Sequence, residues 1–186
     1  FIVYQVTLTV AAIGIARERE LGTLEQLLVM PLRRIELVMG KAVPALIVGM
    51  LNFLCMLAVT VSVFGVPLRG SVGLLFIFTT LFIVAEIGYG IFISAIAHTQ
   101  QQAILFVFVL AMVDMTFSGY MVRLKNLPVA LQAIAQVVPF SHYLTIIRAI
   151  MLKGAGWGTL WPHAVAMTAI GLLVTIIAVR ALSRSL

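Results

Sequence analysis

Charge is what this chain has least of. Only 10% of its 186 residues are charged and six are acidic, against 63% apolar residues and a mean hydropathy of +1.20. Soluble domains carry roughly 25% charged residues, so the composition excludes a single water-soluble core. Cysteine is nearly absent as well: Cys55 stands alone inside an apolar run, which excludes an intrachain disulfide and a cysteine-based metal cluster and leaves it as a packing residue. No Gly-x-x-x-x-Gly-Lys-Ser/Thr stretch occurs, so the chain has no phosphate loop of its own. His98 and His142 have no second ligand at metal spacing, and no metal site is expected. The net charge of +6 comes from basic residues in short stretches between apolar runs, not from a patch interleaved with aromatics, so nucleic acid is not an expected partner. The opening stretch lacks Met and the basic flank of a signal peptide; it reads as a fragment that begins inside a span.

What the sequence has in abundance is apolar runs. Residues 1–16, 42–66, 72–97, 103–122 and 163–182 read as five membrane spans, the first partial, since about 20 residues cross a hydrocarbon layer roughly 30 Å thick. The region 127–152 is apolar too, but Gln132, Gln136, Ser141, His142 and Arg148 interrupt it and Pro139 splits it. Each half is too short to cross and carries an apolar stripe at helical spacing, which predicts a re-entrant pair of short helices. Arg17, Arg19, Arg33, Arg34, Lys41, Arg180 and Arg184 gather on one side of this arrangement, which predicts that the 17–41 loop and the C-terminus face the cytoplasm. Trp157 and Trp161 then fall at the outer boundary as interfacial anchors.

The loop from Arg17 to Arg34 is the most distinctive stretch. Gly22 permits a sharp change of direction, Thr23 with Gln26 forms a capping box, and Pro31 limits the new helix to about two turns. Leu24, Leu27 and Leu28 give that helix an apolar edge, while Glu18, Glu20 and Glu25 favour its positive dipole end. Physics alone predicts a short amphipathic helix across the cytoplasmic face, which is equally a capped loop helix or a contact surface.

This loop resembles the signature of ABC-2 type permeases, the membrane subunits of ABC exporters: Arg17-Glu18-Arg19-Glu20, Gly22-Thr23, Glu25, Leu27-Leu28, Pro31 and Lys41 all match its pattern. Thr99-Gln100-Gln101-Gln102, Ser118-Gly119-Tyr120 and Leu127-Pro128 extend the resemblance, as do Pro139-Phe140-Ser141-His142-Tyr143, Arg148 and Leu152-Lys153-Gly154. It therefore covers essentially the whole chain and is closest to the multidrug-exporter-like branch; Asp114 and Lys125 depart from the pattern. The resemblance implies an all-α transmembrane bundle with a cytoplasmic coupling helix and external re-entrant helices. It also implies a separate ABC ATPase subunit that binds ATP and Mg, a second permease subunit and a periplasmic adaptor protein, in the bacterial inner membrane. Glu18, Glu20, Gly22, Thr23, Glu25, Pro31, Arg33 and Arg34 would then couple to the ATPase, and Pro139, His142 and Tyr143 would form an external gate.

Glu86 and Asp114 are the acids inside spans, where burying a charge costs at least about 2.5 kcal/mol, so neither is expected to face lipid. Each is either a cation or proton site or a hydrogen-bonded tie between helices. Asp114 shares a stripe with Leu110, Phe117 and Met121, and the resemblance puts Asp114, Phe117 and Glu86 along a substrate path. Asn52 reads as an interhelical hydrogen bond. The small pairs Ala12 and Ala16, Ala45 and Gly49, and Gly90 and Ser94 read as close helix contacts. Two competing functions remain: a secondary transporter using Glu86 and Asp114 as an ion relay, which predicts inverted repeats that the chain does not show, and a membrane enzyme, which needs more converging polar groups than these.

Overall fold

The computed structural model describes residues 1–23, 34–121, 126 and 128–185; the side chains of 34, 35, 37, 129, 130 and 182–185 are not among those described. These residues form seven helices: α1 (Ile2–Glu20), α2 (Arg34–Ser62), α3 (Val72–Ile96), α4 (Gln100–Phe117), α5 (Val129–Ala135), α6 (Pro139–Lys153) and α7 (Trp157–Ser185). No strand occurs among them. In a medium that cannot hydrogen-bond exposed backbone, helices are one of two viable spanning structures, and this composition takes that form.

Four segments are long and apolar enough to cross a membrane: Val38–Ser62, Val72–Ile96, Gln100–Phe117 and Trp157–Ala181. The fifth span expected from the sequence corresponds to α1, whose largely apolar stretch gives way to the charged run Arg17–Glu20 within the same helix. Boundaries shift where backbone chemistry dictates. α2 stops at Ser62, short of residue 66, and Gly65 follows at φ +61°; α4 stops at Phe117, short of residue 122, and Gly119 follows at φ +80°. Such left-handed conformations suit glycine and end helices. α7 starts at Trp157, six residues earlier than expected, with Pro162 in its second turn.

α3 is the central helix, packed by α1, α2, α4, α6 and α7. It buries Phe78, Phe82, Ile83, Ile87 and Ile91, together with the polar Thr79, Glu86 and Ser94. Small residues set the close contact with α1: a Cβ added at Gly90 would collide with Ala11 and lie 3.1 Å from Leu8 O and Ala12 N. One turn on, Ser94 Oγ accepts from the backbone N–H groups of Ile15 and Ala16 at 2.8 and 2.9 Å. Gly171 of α7 meets Ala85 of α3 in the same way. The outward sides of α2, α4 and α7 expose Ile47, Leu51, Leu105, Phe108, Val109, Leu172 and Leu173. A side this apolar matches hydrocarbon better than water.

The broken helix pair takes shape around Pro139, which sits at the start of α6. α6 packs Phe140 and Tyr143 against Tyr4 and Phe82, with Tyr143 stacked on Phe82 at 4.0 Å between ring centroids. Its other end returns to the loop before α3, where Arg69 N–H donates to Met151 O at 3.1 Å. Arg148 Nη1 reaches Gly119 O at 3.4 Å, so the end of α4 and the exit of α6 lie near each other.

Candidate functional site: a stapled basic end, a buried acid pair and a polar cleft

At the end of the bundle that carries Arg17 and Lys41, the charged quartet of α1 is tied inward. Glu18 Oε1 pairs with Lys41 Nζ of α2 at 2.7 Å, and Glu18 Oε2 accepts from Thr23 Oγ1 at 2.6 Å. The Lys41 and Thr23 bonds hold the Glu18 carboxyl below the usual carboxylate range. Arg19 Nη1 donates to Ala95 O and Ala97 O at 3.1 and 2.7 Å, so a cation covers the last carbonyls of α3. Glu20 Oε2 accepts from Gln100 N–H at 2.9 Å, which places an acid on the first turn of α4 and lowers the Glu20 pKa through that backbone bond.

The turn between α3 and α4 has its own lock. Thr99 Oγ1 accepts from Gln102 N–H and Gln102 Oε1 accepts from His98 N–H, a reciprocal capping arrangement. Three residues of one helix end thus hold α2, α3 and α4 in a fixed relation to α1. Gly22 lies at φ +71° with open space around it, and beyond it Thr23 N–H donates to Glu18 O at 2.9 Å, which closes the end of α1. Thr23 hydrogen-bonds backward to Glu18. The rest of the expected coupling helix, with Glu25, Pro31 and Arg33, lies outside the described residues, and so does the side chain of Arg34. Glu18 and Glu20, expected as contacts for a partner, are engaged within the chain.

The buried acids come together in the interior. Asp114 is 6% exposed and its Oδ2 accepts from Tyr4 Oη at 2.7 Å, joining α4 to α1. Glu86 is 1% exposed, lies within electrostatic reach of Asp114 and Tyr4, and has no hydrogen-bond partner at either carboxylate oxygen. Phe117 is half-buried, one turn beyond Asp114, and Met121 is exposed. Tyr4 was missed in the sequence as the partner of Asp114; the one available signal was a phenol inside an apolar run. The Asn52 side-chain oxygen, expected in an interhelical bond, is buried without a partner.

Neither acid lines the aromatic cavity beside α6. That cavity, about 310 Å³, is bounded by Tyr4, Phe53, Tyr120, Phe140 and Tyr143 together with aliphatic side chains. Of the expected gate residues, Pro139 and Tyr143 are buried, and Tyr143 shares a 3.0 Å hydrogen bond with Thr79. His142 faces a separate, smaller cleft of about 160 Å³ and stands beside His163, a residue that sequence spacing did not bring near it.

Comparison with known proteins points one way. The family model described as ABC-2 family transporter protein matches residues 1–180. The chain is 39% identical over 166 residues to the probable multidrug ABC transporter permease YbhR of Escherichia coli K12, covering 87% of this chain and 45% of that protein. It is 33% identical to the E. coli inner membrane transport permease YhhJ over 159 residues, 85% of this chain and 42% of that one. It is 32% identical to the E. coli probable multidrug ABC transporter permease YbhS over 141 residues, 75% and 37% respectively. The chain therefore spans less than half the length of these relatives. No solved structure matches it.

Proposed function

Because the chain belongs to the ABC-2 transporter family, we propose that it forms a transmembrane part of a permease subunit in an ATP-driven exporter of the bacterial inner membrane. A separate ATPase subunit supplies ATP and Mg, and two permease subunits enclose the path. The observation that carries the coupling role is the stapled end of α1. A displacement of the 24–33 loop pulls on Gly22 and Thr23, and through Glu18, Arg19 and Glu20 it reaches Lys41 of α2, the carboxyl end of α3 and the first turn of α4 at once. The three spans then move as one body, which is what converts a local push into opening at the far end.

The likeness to YbhR and YbhS, named as probable multidrug permeases, supports drugs or other amphipathic small molecules as cargo. The aromatic cavity walled by Tyr4, Phe53, Phe140 and Tyr143 suits the apolar part of such molecules. Pro139 and Tyr143, at the buried tip of the broken helix pair, close the outer end, and a periplasmic adaptor protein receives the cargo there.

The test is Glu25→Lys. Reversing that charge should lower export at least tenfold and weaken copurification of the ATPase subunit, while membrane abundance of the permease stays unchanged. Normal ATPase binding with normal export would remove the coupling role of this loop.

A further inference from the structure

One face of α1 carries Val10, Ile13, Gly14, Arg17, Glu18 and Leu21, and with Lys41 and Pro44 of α2 it walls a cleft of about 570 Å³. Side chains three and four apart share a helix face, so the cleft runs along α1. Its chemistry changes on the way. Val10 and Ile13 belong to the apolar stretch of α1, and Arg17 and Glu18 stand where that stretch gives way to charge. On the facing helix Lys41 lies in the first turn of the apolar segment that begins at Val38, and Pro44 lies one turn deeper. Val10 and Arg17 are seven residues apart, roughly 10 Å at about 1.5 Å per residue. The cleft therefore has an apolar floor and an ionic rim. Gly14 makes the room between them: a Cβ there would meet the stem of Lys41 at 3.5 Å, so the lysine chain crosses α1 over this glycine and carries its ammonium to the rim.

The rim has a surplus of positive charge. Lys41 Nζ has three donors and gives one to Glu18 Oε1 at 2.7 Å, while Arg17 is exposed beside the pair. Among the described lining residues two cations thus face one carboxylate. A single phosphodiester brings this rim to neutrality. A zwitterionic headgroup adds no net charge and leaves the surplus in place.

We propose that the cleft binds a phospholipid with an anionic headgroup of the phosphatidylglycerol type, its phosphate at Arg17 and Lys41 and one acyl chain along Val10, Ile13 and Pro44. Basic pockets between transmembrane helices select acidic headgroups in this way. A free phosphate ester would use the rim and leave the apolar floor in water, which forfeits the burial that an acyl chain gains. The bound lipid touches the Glu18–Lys41 pair and so adds to the stapled end of α1. Its binding depends on the bundle alone and not on the coupling role proposed above.

The experiment uses the full-length permease in detergent, titrated with phosphatidylglycerol, with phosphatidylcholine of the same chains and with glycerol 3-phosphate, and read by native mass spectrometry. Phosphatidylglycerol should be held about fivefold more tightly than phosphatidylcholine, the equivalent of the roughly 1 kcal/mol that one basic residue supplies at an acidic lipid surface. Glycerol 3-phosphate should not bind at the same concentration. Arg17→Gln removes the surplus charge and should make the two lipids equal; Gly14→Leu fills the cleft and should abolish the retained lipid. Arg180→Gln, a cation outside the cleft, should change neither. A photoreactive benzoylphenylalanine in place of Ile13 should give a phospholipid adduct in membranes, which locates the site even where another variant folds poorly. Equal retention of the two lipids by the wild type, retention of glycerol 3-phosphate, or a preference that survives Arg17→Gln would overturn the assignment. So would an equal loss in Arg180→Gln, or an adduct at position 13 with a protein segment in place of lipid.

Discussion

The bond between Tyr4 and Asp114 makes the sharpest demand on this structure. It is buried, 2.7 Å long and spans 110 residues of sequence. Tyr4→Phe keeps the ring in place against Phe140 and Phe82 and removes only the donor. Hydrogen bonds between membrane helices average about 0.6 kcal/mol and reach about 1.7; leaving a buried acceptor unpaired adds about 1–3 kcal/mol. Tyr4→Phe should therefore destabilise the subunit by about 1–3 kcal/mol. Asp114→Leu should cost a similar amount, because it strands the phenol. Asp114→Asn offers an amide oxygen in the same place and should stay within about 0.5 kcal/mol. In Tyr4→Phe/Asp114→Leu the losses should overlap, with a coupling energy of about 1–2 kcal/mol. Denaturant unfolding in mixed micelles reads the stabilities, and export of cationic and neutral substrates is followed in the same variants. Additive losses from Tyr4→Phe and Asp114→Leu would refute the tie. So would an unchanged stability in Asp114→Leu with selective loss of cationic export in Asp114→Asn, which would make Asp114 a substrate-binding acid.

Two further outcomes follow from geometry. With Cys55→Ala as background, cysteines at Tyr120 and Lys153 should label with an impermeant maleimide from the same side of the membrane, because the end of α4 and the exit of α6 meet near Gly119 and Arg69; labelling from opposite sides would mean that the α5–α6 segment crosses. Gly90→Val should lower folded abundance several-fold, since even a Cβ collides with Ala11 and overpacking costs about 1–3 kcal/mol; unchanged abundance and thermal stability would show that α1 and α3 are not in such close contact.

Much of the fold is legible along the chain. Run lengths and composition are local, and they give α3 to within one residue and α4 and α7 to within three to six, while α2 starts at Arg34, eight residues before the expected run, because the helix continues past the apolar stretch into the basic end. Pro139 marks the start of α6 because a proline is welcome only in the first turn of a helix. Gly22 takes the left-handed conformation that favours glycine at the end of α1, and the Thr99 to Gln102 match proves to be a capping lock. The start of α7 is misplaced because Pro162 suggests a boundary, although a helix tolerates it in its second turn when the span beyond is long and apolar.

What only the tertiary structure decided is which side of each helix faces inward. In water an apolar stripe identifies the core-facing side, but a membrane helix is apolar toward lipid and toward its neighbours alike, so periodicity carries little orientation. α3 is apolar nearly all round, and it takes the fold to show that Gly90 and Ser94 meet α1 while Gly88 meets α7 at Thr175. The pairings of Tyr4 with Asp114, Glu18 with Lys41 and His142 with His163 are equally invisible in sequence, since each joins residues on different helices. The sequence by itself determined that these polar groups lie among apolar runs and must be satisfied. The packing of α1, α6 and α7 around α3 decided with whom, because only close approach of the helices brings a donor within reach of its acceptor.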